Sequence, residues 1–247
     1  MPFFLRPDGA AIYYEVEGEG PVVLLVHGGT GKGSFDWEFQ RPWLVERYRV
    51  VTMDLRAHGR STDPAGTLSM YAVGEDALAL IEELGGRVGA VIGFSAGATG
   101  LLMCLARDPA AASALGGFVA VSPSIVGATE QRLREIAAGG WPEEIVELKH
   151  EAWPDPDHWI ALRTAISGSW SRTTRLTAAE LAEISCPILT ISGAKDRVEA
   201  PETSLTLARW AKSGRAVIIP DAGHLVMRHQ PEAFRAAVEP FLDEVAA

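Results

Sequence analysis

The sequence predicts an α/β protein built on a mostly parallel central sheet. Two observations carry that expectation. Six short apolar runs lack polar–apolar alternation, which marks strands covered on both faces. Segments of helical period separate most of them, and alternation of strands with helices produces a parallel sheet.

The runs are Val22–Val26, Arg49–Met53, Gly89–Phe94, Gly117–Val121, Pro187–Ser192 and Arg215–Ile219. Between them, 69–84 carries apolar residues at 73, 77, 78, 80, 81 and 84, a period of about 3.6. The segment 96–107 is rich in small apolar residues and reads as a buried helix, while 203–212 and 231–245 read as amphipathic helices. The segment 11–17 alternates and follows the turn Pro7-Asp8-Gly9, so it is expected as an antiparallel edge strand. One stretch interrupts the pattern. Residues 124–185 contain helical patches, Pro154 and Pro156, and Trp141, Trp153, Trp159 and Trp170, but no clear strand. The expected organisation is a core formed by 1–123 and 186–247, with 124–185 as a helical insertion.

Composition narrows the function classes. The 247 residues are 47% hydrophobic and 22% charged, which fits a globular protein. A chain of this length buries roughly 70–75% of its unfolded surface, so the core needs no metal or disulfide. The formal net charge is −10, from 22 basic and 32 acidic residues, with no Lys/Arg cluster to neutralise phosphates. Nucleic acid is therefore not the expected partner. Cys104 and Cys186 form no CxxC pair and lie in or beside apolar segments, which is expected of reduced core thiols. No run approaches the roughly 20 apolar residues of a membrane span. The N-terminal residues carry no leader pattern, so a cytoplasmic location is expected.

In open α/β sheets ligands bind beyond the C-terminal strand ends, and there the chemistry-bearing residues concentrate. Gly93-Phe94-Ser95-Ala96-Gly97 lies between a strand and a helix. A serine on that turn is pushed outward, while glycines on either side admit close backbone neighbours. A serine hydroxyl needs a base to become a nucleophile, and His224 follows the last strand in Asp221-Ala222-Gly223-His224. An acid must orient the imidazole. Asp196, after the fifth clear strand, is the expected one, with Glu199 and Asp221 as rivals. The order Ser95, Asp196, His224 is the chain order of a hydrolase sheet. An oxyanion needs preorganised N–H donors. The expected donors are the amides of Ala96 and of Gly29, with Thr30 the near alternative.

Residues 27–34 read HGGTGKGS and mimic a phosphate loop. A Walker loop requires Ser or Thr directly after Gly-Lys, whereas Gly33 follows Lys32, and the dinucleotide G-x-G-x-x-G spacing also fails. No His/Cys/Asp/Glu grouping has metal-ligand spacing. Neither a cofactor nor a metal is expected.

Together HGG at 27–29, DLRAHGRS at 54–61, GFSAG at 93–97, GAKD at 193–196 and AGH at 222–224 resemble the α/β-hydrolase superfamily, in particular its cap-bearing esterases and haloperoxidase-like members. The resemblance spans nearly the whole chain outside the insertion, which corresponds to the cap. It implies loop-holding roles for Arg56, His58 and His27. This chain departs from the family where Thr30-Gly31 replaces a proline often found after HG. Trp37, Phe94, Thr30 and the four tryptophans of the insertion are candidates for the substrate pocket, since binding sites are largely apolar and aromatic. The alternative for the tryptophans is that they staple the cap to the core.

The expected activity is cofactor-free hydrolysis of a small to medium carboxylic ester or lactone through an acyl-enzyme on Ser95. Rival enzymes on the same triad are C–C bond hydrolases, lyases and perhydrolases. A serine at position 95 speaks against the branches with an aspartate nucleophile. The non-enzyme rival is a small-molecule receptor on a hydrolase scaffold.

Overall fold

A computed structural model describes residues 3–125, 155–170 and 175–246. Eight strands form one sheet: β1 (Phe3–Leu5), β2 (Ala11–Glu17), β3 (Val22–Val26), β4 (Arg49–Met53), β5 (Val88–Phe94), β6 (Leu115–Val121), β7 (Ile188–Gly193) and β8 (Gly214–Ile219). The described helices are α1 (Gly33–Asp36), α2 (Arg41–Leu44), α3 (Met70–Glu83), α4 (Ala96–Arg107), α5 (Pro156–Trp170), α6 (Ala178–Ala182), α7 (Pro201–Trp210), α8 (Val226–His229) and α9 (Pro231–Val245).

The strand order is β1-β2-β4-β3-β5-β6-β7-β8. The strands from β4 to β8 run parallel, and β2 runs antiparallel to both β4 and β1. The sheet is therefore the expected mostly parallel one. The edge differs from expectation. β2 is antiparallel but lies one strand inside, because Phe3–Leu5 pairs along its outer side. A three-residue strand is too short to show a period, which is why it is silent in the sequence.

Continuous apolar runs follow from burial on both sides. Leu24 and Val26 of β3 face the cluster formed with α3 and α4, whereas Val23 and Leu25 face the one formed with α2, α8 and α9. On β6, Phe118 and Ala120 face the first cluster and Val119 and Val121 the second. Each fully buried side chain of this kind contributes roughly 1.5–3 kcal/mol. Helix α3 begins where Ser69 accepts a hydrogen bond from the Ala72 amide, which satisfies one orphan donor of the first turn. Helix α6 begins with a reciprocal Thr177–Glu180 capping box.

Both cysteines are buried and free. Desolvation pushes the Cys104 thiol up to about 12 and that of Cys186 up to about 11, so both are held protonated and unreactive. Among the described residues, no helix is long and apolar enough to cross a membrane.

Candidate active site

The sheet grows from β3 in both directions: β4 lies on one side and β5 on the other. This reversal opens a crevice at the C-terminal ends of β3 and β5. Gly28 and Gly29 leave β3 there, and Ser95 leaves β5.

Ser95 sits at φ 47°, ψ −112°, a conformation that costs an L-residue about 1–3 kcal/mol. Packing and hydrogen bonds hold it. Its amide donates to the Val121 carbonyl at 2.8 Å, and its carbonyl accepts from Thr99 at 2.8 Å. Helix α4 then starts at once. The turn is feasible because Gly97 lies against β3: a Cβ there would stand 2.5 Å from the His27 oxygen and 2.8 Å from the Val26 oxygen.

His224 is brought to Ser95 by the loop after β8. Gly193 lies flush against the carbonyls of Ala222 and Gly223, with no room for a Cβ. The Lys195 amide donates to Ala222 at 2.8 Å, which ties the loops after β7 and β8 together. Ser122, itself at φ 45°, donates its hydroxyl to the His224 carbonyl at 3.1 Å. Gly223 donates to Nδ1 of His229 at 2.9 Å. His229 therefore supports the loop from the short helix α8.

The result is a hydroxyl–imidazole–carboxylate chain. Ser95 Oγ lies 3.0 Å from His224 Nε2, and His224 Nδ1 lies 2.9 Å from Asp196 Oδ2. The other Asp196 oxygen accepts from the Val198 and Glu199 amides at 2.8 and 3.0 Å. A carboxylate only accepts, so Nδ1 carries the imidazole proton and Nε2 is left to accept from the serine. Phe94 packs against His224, with ring centroids 5.1 Å apart. Of the rival acids, Asp221 is exposed and paired with Lys195 at 2.7 Å, and Glu199 supplies its backbone amide to Asp196.

Burial alone would raise the Asp196 pKa. The His224 imidazole beside it, the bond between them, and the Glu199 and Val198 amides outweigh burial and hold the carboxyl below the ordinary 3.8. A depressed folded-state pKa stabilises the fold above the unfolded value, and that contribution is lost as pH falls through the folded one. The stability difference between wild type and Asp196→Asn, followed by urea unfolding from neutral pH to about pH 3, is expected to stay constant down to the ordinary value and to close only below it. Closure already above that value would contradict the assignment.

The loop after β3 faces the serine turn. A Cβ on Gly28 would lie 3.3 Å from the Ser95 Cβ, and one on Gly29 would lie 3.5 Å from the Ala96 Cβ. His27 accepts from the Leu55 amide through Nε2 at 2.9 Å, so Nδ1 carries the proton and donates to the Gly28 carbonyl at 2.7 Å. His58 accepts from the Thr30 amide through Nε2 at 3.0 Å, and its Nδ1 donates to the Arg56 carbonyl at 2.8 Å. The Thr30 amide is thus committed to His58. Neither the Gly29 nor the Ala96 amide has an acceptor among the described residues. Ala96 is also the first residue of α4, where N–H groups are free and the helix dipole favours negative charge.

Arg56 anchors the surrounding loops. It forms a bidentate pair with Asp76, at 2.7 Å to each oxygen, and reaches Asp8 at 2.8 Å. Burial opposes the Arg56 charge, but these carboxylates hold it well above the ordinary guanidinium value. The Arg56 hydrogen bond in turn lowers the Asp8 carboxyl to about 2.

The structure places four of the pocket candidates. Trp37 is fully buried in the core cluster with Leu225 and Val226. Thr30 is also fully buried, and Phe94 packs on Gly28 and His224 within the core. Trp159 packs with Leu162 against Phe35 and Ala57, fastening α5 to the core. Trp141 and Trp153 lie outside the described residues, as does the side chain of Trp170. Among the described side chains of α5, Ile166 reaches the site, its Cγ2 standing 3.1 Å from where a Cβ on Gly29 would lie. One aliphatic side chain on a helix carries no sequence signal that separates it from any other core position.

The profile of the Alpha/beta hydrolase family matches residues 23–237, and the chain belongs to that family. It is 31% identical to a putative carbamate hydrolase of Caulobacter sp. (strain K31), over 96% of this chain and 97% of that protein. It is 32% identical to a non-heme haloperoxidase of Rhodococcus erythropolis, over 62% of this chain but only 54% of that protein. Among solved structures, a thermophilic esterase from Thermogutta terrifontis superposes with a TM-score of 0.82 at 25% identity, covering 100% of this chain and 98% of that one.

Proposed function

We propose that this hydrolase cleaves a small to medium carboxylic ester or lactone through an acyl-enzyme on Ser95. The observation that carries the reading is the unbroken chain from Ser95 Oγ through His224 to Asp196, at 3.0 and 2.9 Å, on a strained strand-to-helix turn. Ser95 attacks the carbonyl carbon while His224 Nε2 takes the hydroxyl proton. Asp196 holds the imidazole in the required tautomer and stabilises its positive charge. The oxyanion accepts from the Gly29 and Ala96 amides. Collapse expels the alcohol, which receives the proton from Nε2. Water, deprotonated by the same nitrogen, then releases the acid and restores the serine.

The similarity to an esterase and to a putative carbamate hydrolase supports acyl-carbonyl chemistry, because both names imply attack at a carbonyl bearing a heteroatom. The test is steady-state hydrolysis of p-nitrophenyl esters of increasing acyl length, with lactones and a vinylogous diketone alongside. Multiple turnover on esters or lactones is the expected outcome, with a length optimum that sizes the acyl pocket. Turnover confined to the diketone would replace ester cleavage with C–C cleavage. One turnover followed by a stall would favour a receptor.

A further inference from the structure

The direction of the Gly29 N–H depends on the peptide planes on either side of Gly28. In a trans peptide, C=O and N–H point in opposite directions. The Gly28 carbonyl accepts from His27 Nδ1 and, at 3.1 Å, from the Gly31 amide. Residues 28–31 therefore form a β-turn with Gly29 and Thr30 at its centre. Thr30 takes φ 60°, a strained value for a β-branched residue. Such a turn persists only if both of its ends are held.

Asp36 bonds to the first end and packs against the last. Its carboxylate Oδ2 accepts from the Gly28 amide at 3.0 Å, across eight residues. The same carboxylate fills the space above Gly31, where no Cβ would fit. The side chain is fully buried, so its hydrogen bond to the Gly28 amide acts in a low-dielectric setting. The amides of Gly28 and Thr30 are drawn to Asp36 and His58, while the Gly29 amide between them lies on the loop that packs against Ser95 and Ala96.

We propose that Asp36 is a positioning residue of the reaction, fixing the 28–31 turn so that the Gly29 amide is aimed at the oxyanion. The inference rests on the serine-hydrolase reading above. Asp36 touches no substrate. Its effect is on the transition state, where negative charge appears on the carbonyl oxygen, and hardly at all on ground-state binding.

The test compares wild type with Asp36→Ala, Asp36→Leu and Asp36→Asn on p-nitrophenyl butyrate, with thermal unfolding of each. Leucine fills the buried space without an acceptor, and asparagine keeps one. Both acceptor-less variants are expected to lose about 10- to 100-fold in kcat with KM changed by less than about twofold. Their phosphorylation by diethyl p-nitrophenyl phosphate should slow in parallel, whereas Asp36→Asn should stay within about threefold of wild type. Folded Ala or Leu variants with unchanged kcat would overturn the proposal. So would an Asn variant as impaired as Ala, or a failure of both acceptor-less variants to fold, since either would assign Asp36 another role. Ser95→Ala, measured beside them, separates the two readings. If it matches wild type, the serine-hydrolase reading fails and the positioning role falls with it. If it is inactive while Asp36→Ala remains folded and fully active, only the positioning role fails.

Discussion

Ser95→Ala is expected to lower kcat on the best ester by about 10⁵- to 10⁶-fold while leaving the fold intact. The size follows from the geometry. The hydroxyl is the atom His224 Nε2 accepts from, at 3.0 Å, and among the described residues no second hydroxyl is placed on that nitrogen. Stability should barely change. Alanine keeps the Cβ, the amide bond to Val121 and the carbonyl bond from Thr99, which hold the strained turn in place. Residual catalysis would come from the oxyanion donors acting on a bound water. The checks are kcat on the preferred p-nitrophenyl ester and urea unfolding of both proteins. A folded variant retaining more than about 1% of the activity would remove Ser95 from its assigned role.

The second large effect is Asp196→Asn, expected to cost about 10⁴-fold in kcat with little change in KM. The Val198 and Glu199 amides dictate which way the new side chain points. They donate to one oxygen of Asp196, so an asparagine must present its oxygen to them and its NH₂ to His224. The imidazole then has to accept at Nδ1, its proton moves to Nε2, and Nε2 can no longer take the proton of Ser95. Nitrogen-15 NMR of the histidines should show the tautomer reverse. An Asn variant that stays within about tenfold of wild type would place the orienting acid elsewhere.

Much of this was legible in the residues themselves. β3 to β7 announce themselves as short runs rich in apolar residues because both sheet faces are covered, and the turns that follow β3, β5, β7 and β8 carry Gly29, Ser95, Asp196 and His224. What stayed hidden has physical reasons. β1, Phe3-Phe4-Leu5, is apolar throughout but only three residues long, too short to show a period, and its Leu5 is exposed. Asp36 reads as an ordinary charged residue until folding returns it to Gly28 and buries it. Ser122 reads as a strand terminator, although its hydroxyl holds the histidine loop. Aromatic side chains carry an ambiguous signal for a related reason. A tryptophan is equally at home in a pocket or in a core, and only packing shows that Trp37 belongs to the core.

Passage of the acyl group through Ser95 is the step on which the proposed mechanism depends. It is tested most directly by treating the enzyme with diethyl p-nitrophenyl phosphate, which leaves a stable phosphoryl group on an activated serine, followed by intact-mass and peptide mass spectrometry. One diethylphosphoryl group per chain is expected, on the peptide containing Ser95, gained in step with loss of ester hydrolysis and absent from Ser95→Ala. An adduct on another residue that tracks the loss of activity, or continued ester turnover by fully modified Ser95, would contradict it.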